Sequence, residues 1–377
     1  MTITAFRVTS LRLALKVPYV WSQGVEEAFH VNLIEMEAED GTTGFGETTT
    51  APDATAQRLV LEKIGRRLVG TSVWDIGATW AESYRALFLT FGGNMPRYGN
   101  QLQSGIEMAA LDLQGKLLGR PVWDLLGGQR RRDVGYFYFL QGETPEEVAA
   151  DARAAVAMGE PVIYLKVGIG AEHDRAAVRL VREAIGDARL RLDANEAWDP
   201  ATAIRRMAEF APYGIEYIEQ PTTSRSIEAL RRVTERAPIA IGADQAVFTL
   251  DEVFRTCATG AADMIAVGPR EIGGLRGTMK AAAVAEAAGL ALCIHSSMTT
   301  GITTCAEHHA ARAIPNLDDG NQIMWQLLRR DIVADPDLVP KRGRLALPAR
   351  PGLGFTLDED AVAEAARAFE AHEAAER

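Results

Sequence analysis

Apolar and polar positions follow two different patterns along the chain, and each pattern predicts its own kind of structure. Residues 3–13 and 30–38 alternate apolar and polar side chains as strands do, and Glu39-Asp40-Gly41 is typical of a hairpin turn. Helical periodicity follows over about 53–68, 73–88 and 100–118. A run of strands followed by a run of helices indicates a separate α+β domain.

From Val134 onwards, strand-like and helix-like segments alternate, as they do around a parallel sheet. Thr144-Pro145-Glu146-Glu147 predicts a helix start with a capping box and proline at the first helical position, and Gly159 is a plausible end of that helix. Asp199-Pro200 predicts a further start of the same kind. The last clear helix covers about 359–374.

Six apolar runs end at nearly constant intervals in the middle of the chain. The run ends are marked, at successive intervals of 27, 26, 25, 24 and 27 residues, by Lys166, Asp193, Glu219, Asp244, Gly268 and His295. A strand, a helix and two loops occupy about that many residues in an eight-unit α/β barrel. Equal spacing places these residues at the C-terminal ends of neighbouring strands, where barrel enzymes carry their catalytic groups.

Three of these positions carry carboxylates. Asp193, Glu219 and Asp244 supply hard oxygen donors on adjacent strands, and such donors are the ligands that Mg²⁺ prefers. Gln220 and Gln245 each follow one of them in the sequence and could orient it, although either could equally be a loop residue. The spacing therefore predicts a magnesium site.

Lys166 and His295 are expected to face each other across that site. A lysine whose pKa is lowered by burial and a nearby cation can remove a proton next to a carboxylate, and the metal stabilises the resulting enediolate. Taken alone, Lys166 would be a surface lysine and His295 a satisfied core residue. Asn195 shares the face of Asp193 and is a candidate ligand of the substrate or a turn-forming asparagine.

Composition excludes several classes of function. The 377 residues suffice for one barrel and a smaller domain, and a net charge of -11 without a basic run argues against a nucleic-acid partner. No apolar stretch is long enough to span a membrane, and the alternating start is not expected to be a signal peptide. Cys257, Cys293 and Cys305 form neither a disulfide framework nor a zinc pattern, so we expect a cytoplasmic protein.

Two stretches carry a family resemblance. The segment from Ser104 to Gly127 resembles the helix that joins cap to barrel in the enolase superfamily, on its mandelate racemase and muconate lactonizing side. The metal signature of the same family is resembled by Asp193-Ala194-Asn195 followed by Ile218-Glu219-Gln220-Pro221. Gly44-Phe45-Gly46-Glu47 resembles the end of a cap-domain strand in that family, although an ordinary glycine turn has the same sequence. The resemblance covers nearly the whole chain.

The resemblance implies a modified TIM barrel of (β/α)7β type with an N-terminal α+β capping domain that the C-terminal segment completes. We expect the capping domain over residues 1–128, the barrel over 129–345 and the returning segment over 346–377. It also implies that Asp193, Glu219 and Asp244 bind Mg²⁺ and that Lys166 is an acid/base.

The loop around Val17 to Trp21 would lie over the substrate, so we expect Tyr19 and Trp21 to contact it. This segment is apolar and aromatic, which favours an apolar, aromatic or quaternary-ammonium substrate over a polyhydroxylated one. The alternative is that the segment only continues a strand that faces the core.

Three positions depart from the family's pattern. Tyr164 replaces the first lysine of its lysine-x-lysine, Gly268 replaces a lysine or an aspartate, and Thr299 lies where some branches have a glutamate. His295 is kept without that aspartate, so we expect it to lack a carboxylate partner and to act as a proton donor more than as a strong base. The remaining expected substrate-binding residues are Tyr164, Asn195, Gln245 and Thr299.

The leading hypothesis is an Mg²⁺-dependent enzyme that removes the proton alpha to a carboxylate, with elimination or cycloisomerisation preferred to racemisation of an amino-acid derivative or hydroxy acid. A non-catalytic barrel binding protein is the hypothesis of another class, and loss of Lys166 or of a metal carboxylate would favour it. We expect a small carboxylate as the substrate, a homo-oligomer, and neither a nucleic-acid nor a membrane partner.

Overall fold

The computed structural model describes residues 1–22, 24–49, 53–89 and 95–376. The N-terminal region is a three-stranded antiparallel sheet followed by helices. Its elements are β1 (Ile3–Trp21), β2 (Gly24–Ala38), β3 (Thr43–Thr49), α1 (Ala54–Leu68), α2 (Ile76–Phe88), α3 (Pro96–Leu118) and α4 (Val122–Leu125).

The predicted strands and helices of this region are present, with shifted ends. The turn between β2 and β3 lies at the predicted hairpin. β1 and β2 run further than predicted because they continue to pair with each other beyond the part that β3 covers, up to Trp21 opposite Gly24. α3 starts earlier than predicted, at Pro96, whose ring suits the first helical turn.

The rest of the chain alternates strands and helices. The barrel elements are β4 (Val134–Gly135), β5 (Tyr138–Phe139), α5 (Pro145–Ala157), β6 (Val162–Lys166), α6 (Ala171–Ile185), β7 (Arg189–Asp193), α7 (Pro200–Phe210), β8 (Ile215–Glu219), α8 (Ile227–Thr234), β9 (Ala240–Ala243), α9 (Leu250–Thr259), β10 (Met264–Ala266), α10 (Pro269–Ile272), α11 (Leu275–Ala287), β11 (Ala291–Cys293) and α12 (Gly301–Ala313). The chain ends with β12 (Val333–Asp335), β13 (Arg344–Leu345), β14 (Thr356–Leu357) and α13 (Glu359–Ala375).

Strands β5 to β11 form one parallel sheet in sequence order, and a segment around residues 316–322 joins its two edges. On one side the Leu292 N–H donates to Asn316 O (3.0 Å), and on the other the Phe137 N–H donates to Asn321 O (3.0 Å). The segment therefore takes the place of an eighth strand. The fold is the expected (β/α)7β barrel with an N-terminal α+β capping domain.

The cap sheet buries both of its faces. Residues such as Ile34 and Met36 pack against the cap helices, whereas Leu11 and Phe29 belong to the core that continues into the barrel. Helix α13 returns to the cap and packs on β1. The boundaries at residues 128 and 345 stay predictions. Within the described ranges, no helix has the length and apolar character needed to cross a membrane.

Backbone contacts fix how the cap sits on α3. A Cβ at Gly44 or at Gly46 would lie 2.2 Å from a carbonyl oxygen of α3, so only glycine allows β3 to lie directly on that helix. Asp112 of α3 accepts from the N–H of Phe45 (2.9 Å) and from that of Leu353 (2.8 Å). The segment that resembles the joining helix thus ties the cap to the end of the chain.

Candidate active site

The strand register brings the spaced residues to one end of the barrel. Lys166 pairs with Asp193, Asp193 with Glu219, and Glu219 with Gly242, two residues before Asp244. The polar ends of four adjacent strands therefore lie side by side at the carboxyl edge of the sheet.

The three carboxylates are buried next to one another. The Tyr164 hydroxyl lies 2.8 Å from Asp193 Oδ2 and 3.0 Å from Glu219 Oε1. Both oxygens of Asp244 are buried and have no hydrogen-bond partner among the described residues. Burial, and then the charges of neighbouring carboxylates, raise the pKa of Glu219; burial is also the main cause that raises the pKa of Asp244.

These residues fit a hard divalent cation by their chemistry, although their arrangement would have to change. Within the described part of the chain, no three acidic, histidine or cysteine side chains are already arranged around one point as metal ligands are. The Lys166 ammonium forms a close ion pair with Asp193, at the place where a cation would share that carboxylate. The unpartnered oxygens of Asp244 and the all-oxygen donor set are what Mg²⁺ requires.

Lys166 is held in the cavity wall by two acceptors. Its side chain is 10% exposed, and its ammonium donates to Asp193 and to Asn195 Oδ1 (2.6 Å). Burial lowers the pKa of Lys166, but the charge and hydrogen bond of Asp193 and the charges of other neighbours together outweigh burial, so the pKa lies above its ordinary value. The expected lowering of this pKa is therefore not present; it requires a cation that takes up the charge of Asp193.

The expectation that His295 lacks a carboxylate partner is wrong. His295 Nδ1 lies 3.3 Å from Glu271 Oε1 and 3.8 Å from Asp244 Oδ1. Burial lowers the pKa of His295, but Asp244 and Glu271 outweigh it and raise the pKa to about 9. His295 is therefore an imidazolium at neutral pH, able to donate a proton.

Glu271 replaces the absent aspartate from another position. A Cβ at Gly268 would lie 2.0 Å from His295 O, so no acid/base side chain fits at that strand end. Glu271 comes from the single turn of α10, where its Oε2 accepts from the Gly268 N–H (3.1 Å). Sequence reasoning missed Glu271, although proline followed by glutamate after a strand is the helix-start pattern recognised at Thr144.

A cavity of about 430 Å³, here named the central cavity, opens above these groups. Six of the residues singled out from the sequence line it: Tyr19, Trp21, Lys166, Asn195, Gln245 and His295. The segment before Trp21 therefore does reach the cavity. Residues that sequence reasoning did not find also line it, among them Glu26, Arg97, Phe248, Arg270, Met298 and Met324.

Two of the expected substrate-binding residues do not line the central cavity. Tyr164 lies beneath it, stacked on Phe137 at 4.2 Å between ring centroids, and its hydroxyl contacts the carboxylates. Thr299 is buried, with its hydroxyl 2.9 Å from that of Ser296. Gln220 accepts from the Asp244 N–H (3.0 Å), so it holds the backbone at Asp244 and leaves its carboxylate free.

Two guanidinium groups flank Phe248 at the wall of the central cavity. Arg97 lies 5.3 Å and Arg270 5.8 Å from the centre of the Phe248 ring. Arg97 is balanced by Glu252 (2.7 Å), whereas Arg270 donates from Nε to Glu271 (2.6 Å). The cap therefore contributes both aromatic and charged side chains to the wall of the cavity, and the charged side chains that the barrel contributes are mainly basic.

Comparison with known proteins gives the same picture over almost the whole chain. Residues 147–361 match the family described as enolase C-terminal domain-like, and residues 3–127 match the mandelate racemase / muconate lactonizing enzyme N-terminal domain. Muconate cycloisomerase 1 of Pseudomonas putida is 31% identical over 89% of this chain and 90% of its own. Hydrophobic dipeptide epimerase of Enterococcus faecalis is 28% identical over 93% and 96%.

A solved structure agrees as closely. Muconate lactonizing enzyme from Pseudomonas fluorescens, in complex with muconolactone, superposes with a TM-score of 0.90 at 29% identity, covering 97% of this chain and 99% of that one.

Proposed function

The chain belongs to the mandelate racemase and muconate lactonizing enzyme family of the enolase superfamily, and we propose that it is an Mg²⁺-dependent enzyme that removes the proton alpha to a carboxylate of a small substrate. The observation that carries the proposal is the meeting of Lys166 and His295 in one cavity above three buried carboxylates. A purely structural role would not require this many buried charges at one strand edge.

Each side chain has a role in this proposal. Asp193, Glu219 and Asp244 would hold Mg²⁺, which supplies positive charge that stabilises an enediolate. Lys166 stands beside Asp193 and takes the alpha proton, once the charge of Asp193 is shared and no longer holds the ammonium form. Asn195 orients the lysine amine through its 2.6 Å contact.

His295 decides the outcome of the reaction. As an imidazolium it donates a proton to a leaving group, which gives elimination. In cycloisomerisation the leaving group is a carboxylate of the substrate itself: the ring C–O bond breaks as Lys166 removes the alpha proton, and in the reverse direction it forms and Lys166 returns the proton. Cycloisomerisation agrees with the activity for which muconate cycloisomerase 1 is named, and elimination with that of the probable glucarate dehydratase of Streptomyces coelicolor, which is 30% identical to this chain.

Racemisation or epimerisation is the second candidate, and Glu271 favours it. A carboxylate 3.3 Å from His295 Nδ1 raises the basicity of the imidazole, as a base on the opposite face of the substrate requires. The homo-oligomeric state and the cytoplasmic location stay predictions.

A carboxylate library in deuterated water with Mg²⁺ tests the proposal. The library covers amino-acid derivatives, betaines, lactones and hydroxy acids, and NMR and mass spectrometry detect deuterium at the alpha carbon. Lys166→Met should abolish exchange, whereas Lys63→Met, at an exposed position of α1, should not change it. Full exchange in Lys166→Met would assign the base elsewhere.

The variant His295→Asn separates elimination and cycloisomerisation from racemisation. Elimination predicts exchange that persists in this variant while turnover falls, and cycloisomerisation by Lys166 alone predicts that both persist. Racemisation predicts that each variant loses exchange from one enantiomer only, because Lys166 and His295 then serve opposite faces.

A further inference from the structure

A second cavity, here named the joint cavity, lies between the cap and the barrel. It has a volume of about 290 Å³ and is lined by residues of α2 and α3 from the cap and of α9, α10 and α11 from the barrel. No described residue lines both cavities, but α10 borders both, through Arg270 on the central side and Ile272 on the other. Small-ligand sites favour such joints and start at about 300 Å³.

Most of the wall of the joint cavity is apolar. Four of its large side chains are almost fully buried and belong to three helices: Ile76, Trp80, Ile106 and Ile272. Leu250 adds an exposed apolar side chain at 39% exposure. An indole among branched aliphatic groups suits a flat apolar body, since ring–ring contacts add to area burial.

The polar groups of the joint cavity are mainly cationic. Arg276 and Lys280 are exposed at its wall, and Lys280 has no hydrogen bond or ion pair to the described residues. The one carboxylate, Glu107, is nearly buried and accepts from the Arg276 N–H (3.1 Å) at the start of α11. The Arg276 guanidinium makes only long contacts, 3.8 Å to Glu107 Oε1 and 3.4 Å to Gln114 Oε1. Two basic side chains therefore face one carboxylate, which leaves one positive charge for an anionic ligand.

We propose that the joint cavity binds a small aromatic carboxylate, with its ring among the apolar side chains and its carboxylate at Lys280 and Arg276. The charge of the wall selects an anion, and the apolar interior selects against inorganic anions, which would lose their hydration there. The ligand would touch Ile272, the neighbour of Glu271 in α10. This inference does not depend on the proposed reaction.

Binding of naphthalene-2-carboxylate to the full-length protein, measured by calorimetry, tests the proposal. Lys280→Gln should weaken binding about threefold, as loss of a partly exposed ion pair does. Lys63→Gln removes the same charge from an exposed site on α1 and should leave affinity unchanged. Equal affinities of the two variants and the unmodified protein would overturn the proposal, as would the absence of saturable binding.

A second pair of variants locates the probe. Gly77 of α2 lines the joint cavity, and a Cβ there meets nothing within 4 Å, so Gly77→Leu adds bulk at the cavity wall without a backbone clash and should weaken binding. Trp21→Ala changes the wall of the central cavity and not that of the joint cavity, so it should leave probe affinity intact. Loss of binding in Trp21→Ala, with Gly77→Leu unaffected, would place the probe in the central cavity and reject the joint site.

Hydrogen exchange gives a readout that does not depend on variants. With the probe bound, peptides that cover 76–84 and 269–277 should exchange more slowly, and the peptide over 359–375 should not change. Protection confined to other segments would contradict the assignment.

Discussion

At the scale of single residues, Glu271 decides what His295 can do. Its two oxygens contact His295 Nδ1 (3.3 Å), Arg270 Nε (2.6 Å) and the Gly268 N–H (3.1 Å). Burial alone would raise the pKa of Glu271, but Arg270 and His295 lower it to about 2. Glu271 is therefore ionised at every pH at which the protein is expected to work.

Glu271→Gln should lower the pKa of His295 from about 9, because a neutral amide no longer stabilises the imidazolium. We expect kcat to fall about ten- to a hundredfold, as for other groups that orient a catalytic histidine. An NMR titration of His295 and steady-state kinetics check both. Glu252→Gln is the matched control, since Glu252 pairs with Arg97 and does not contact His295.

The same change has a pH-dependent effect on stability. The pair stabilises the fold where both groups are charged in the folded protein: Glu271 loses its contribution as pH falls toward about 2, and His295 loses its own as pH rises through about 9. The stability lost in Glu271→Gln should therefore be largest between the unfolded-state pKa of the glutamate, about 4.5, and that of the histidine, about 6.5. A pH-independent loss in urea unfolding would contradict this linkage.

Gly268 is a residue whose small size the fold requires. Gly268→Ala should cost about 1–3 kcal/mol or more in the free energy of unfolding, because the new Cβ would lie 2.0 Å from His295 O. Gly77→Ala, in the open part of α2, should instead be neutral or stabilise by up to about 1 kcal/mol. Denaturant unfolding of both variants measures the difference, and similar values would show that the strand end has room to relax.

At the scale of elements, Glu47 joins the cap strand β3 to the start of barrel helix α12. Its Oε1 accepts from the N–H groups of Thr300 (3.0 Å) and Thr303 (2.9 Å), and its Oε2 from the Thr300 hydroxyl (2.8 Å). These N–H groups belong to the helix end, where four donors lack partners within the helix. One cap side chain therefore satisfies the start of a barrel helix.

Glu47→Gln should lower the free energy of unfolding by about 1–3 kcal/mol, because the amide NH₂ would replace one acceptor and leave a buried donor unpaired. Urea unfolding measures this loss. Glu370→Gln on the exposed face of α13 removes the same charge without buried contacts and should change stability little. Equal effects of the two changes would mean that Glu47 adds nothing beyond its charge.

At the scale of the whole molecule, the cap depends on the end of the chain. Helix α13 buries Ala361, Ala365 and Phe369 and packs on β1. The core that contains Leu11 and Phe29 of the cap also contains Ala361 and Ala365, so one hydrophobic core extends through cap, barrel and terminal helix.

Truncation after Asp358 should destabilise the protein by about 3–5 kcal/mol, from the loss of one phenylalanine and two alanines of buried surface. Amide exchange should then increase in β1, whose contact with α13 is lost. Truncation after Ala371 keeps all three buried residues and is the control. Unchanged protection of β1 in the shorter protein would show that the cap holds without α13.

Short-range features of the sequence determined the elements and the strand ends. Alternation and helical periodicity depend on side-chain direction along a single element, so they predicted β1, β2 and α1 to α3 with errors only at the ends. The interval from Lys166 to His295 reflects the length of each βα unit. For that reason spacing alone placed these residues, with the three carboxylates, at one end of the barrel.

Tertiary structure alone decided which groups meet at that end. Arg97 reaches the Gln245 carbonyl across 148 residues of sequence, and a turn of α10 brings Glu271 to His295. Tyr164 points beneath the carboxylates, whereas Asn195 faces the cavity. Such contacts join separate loops and helices, whose side-chain directions follow no period, and so no local pattern of apolar and polar residues encodes them.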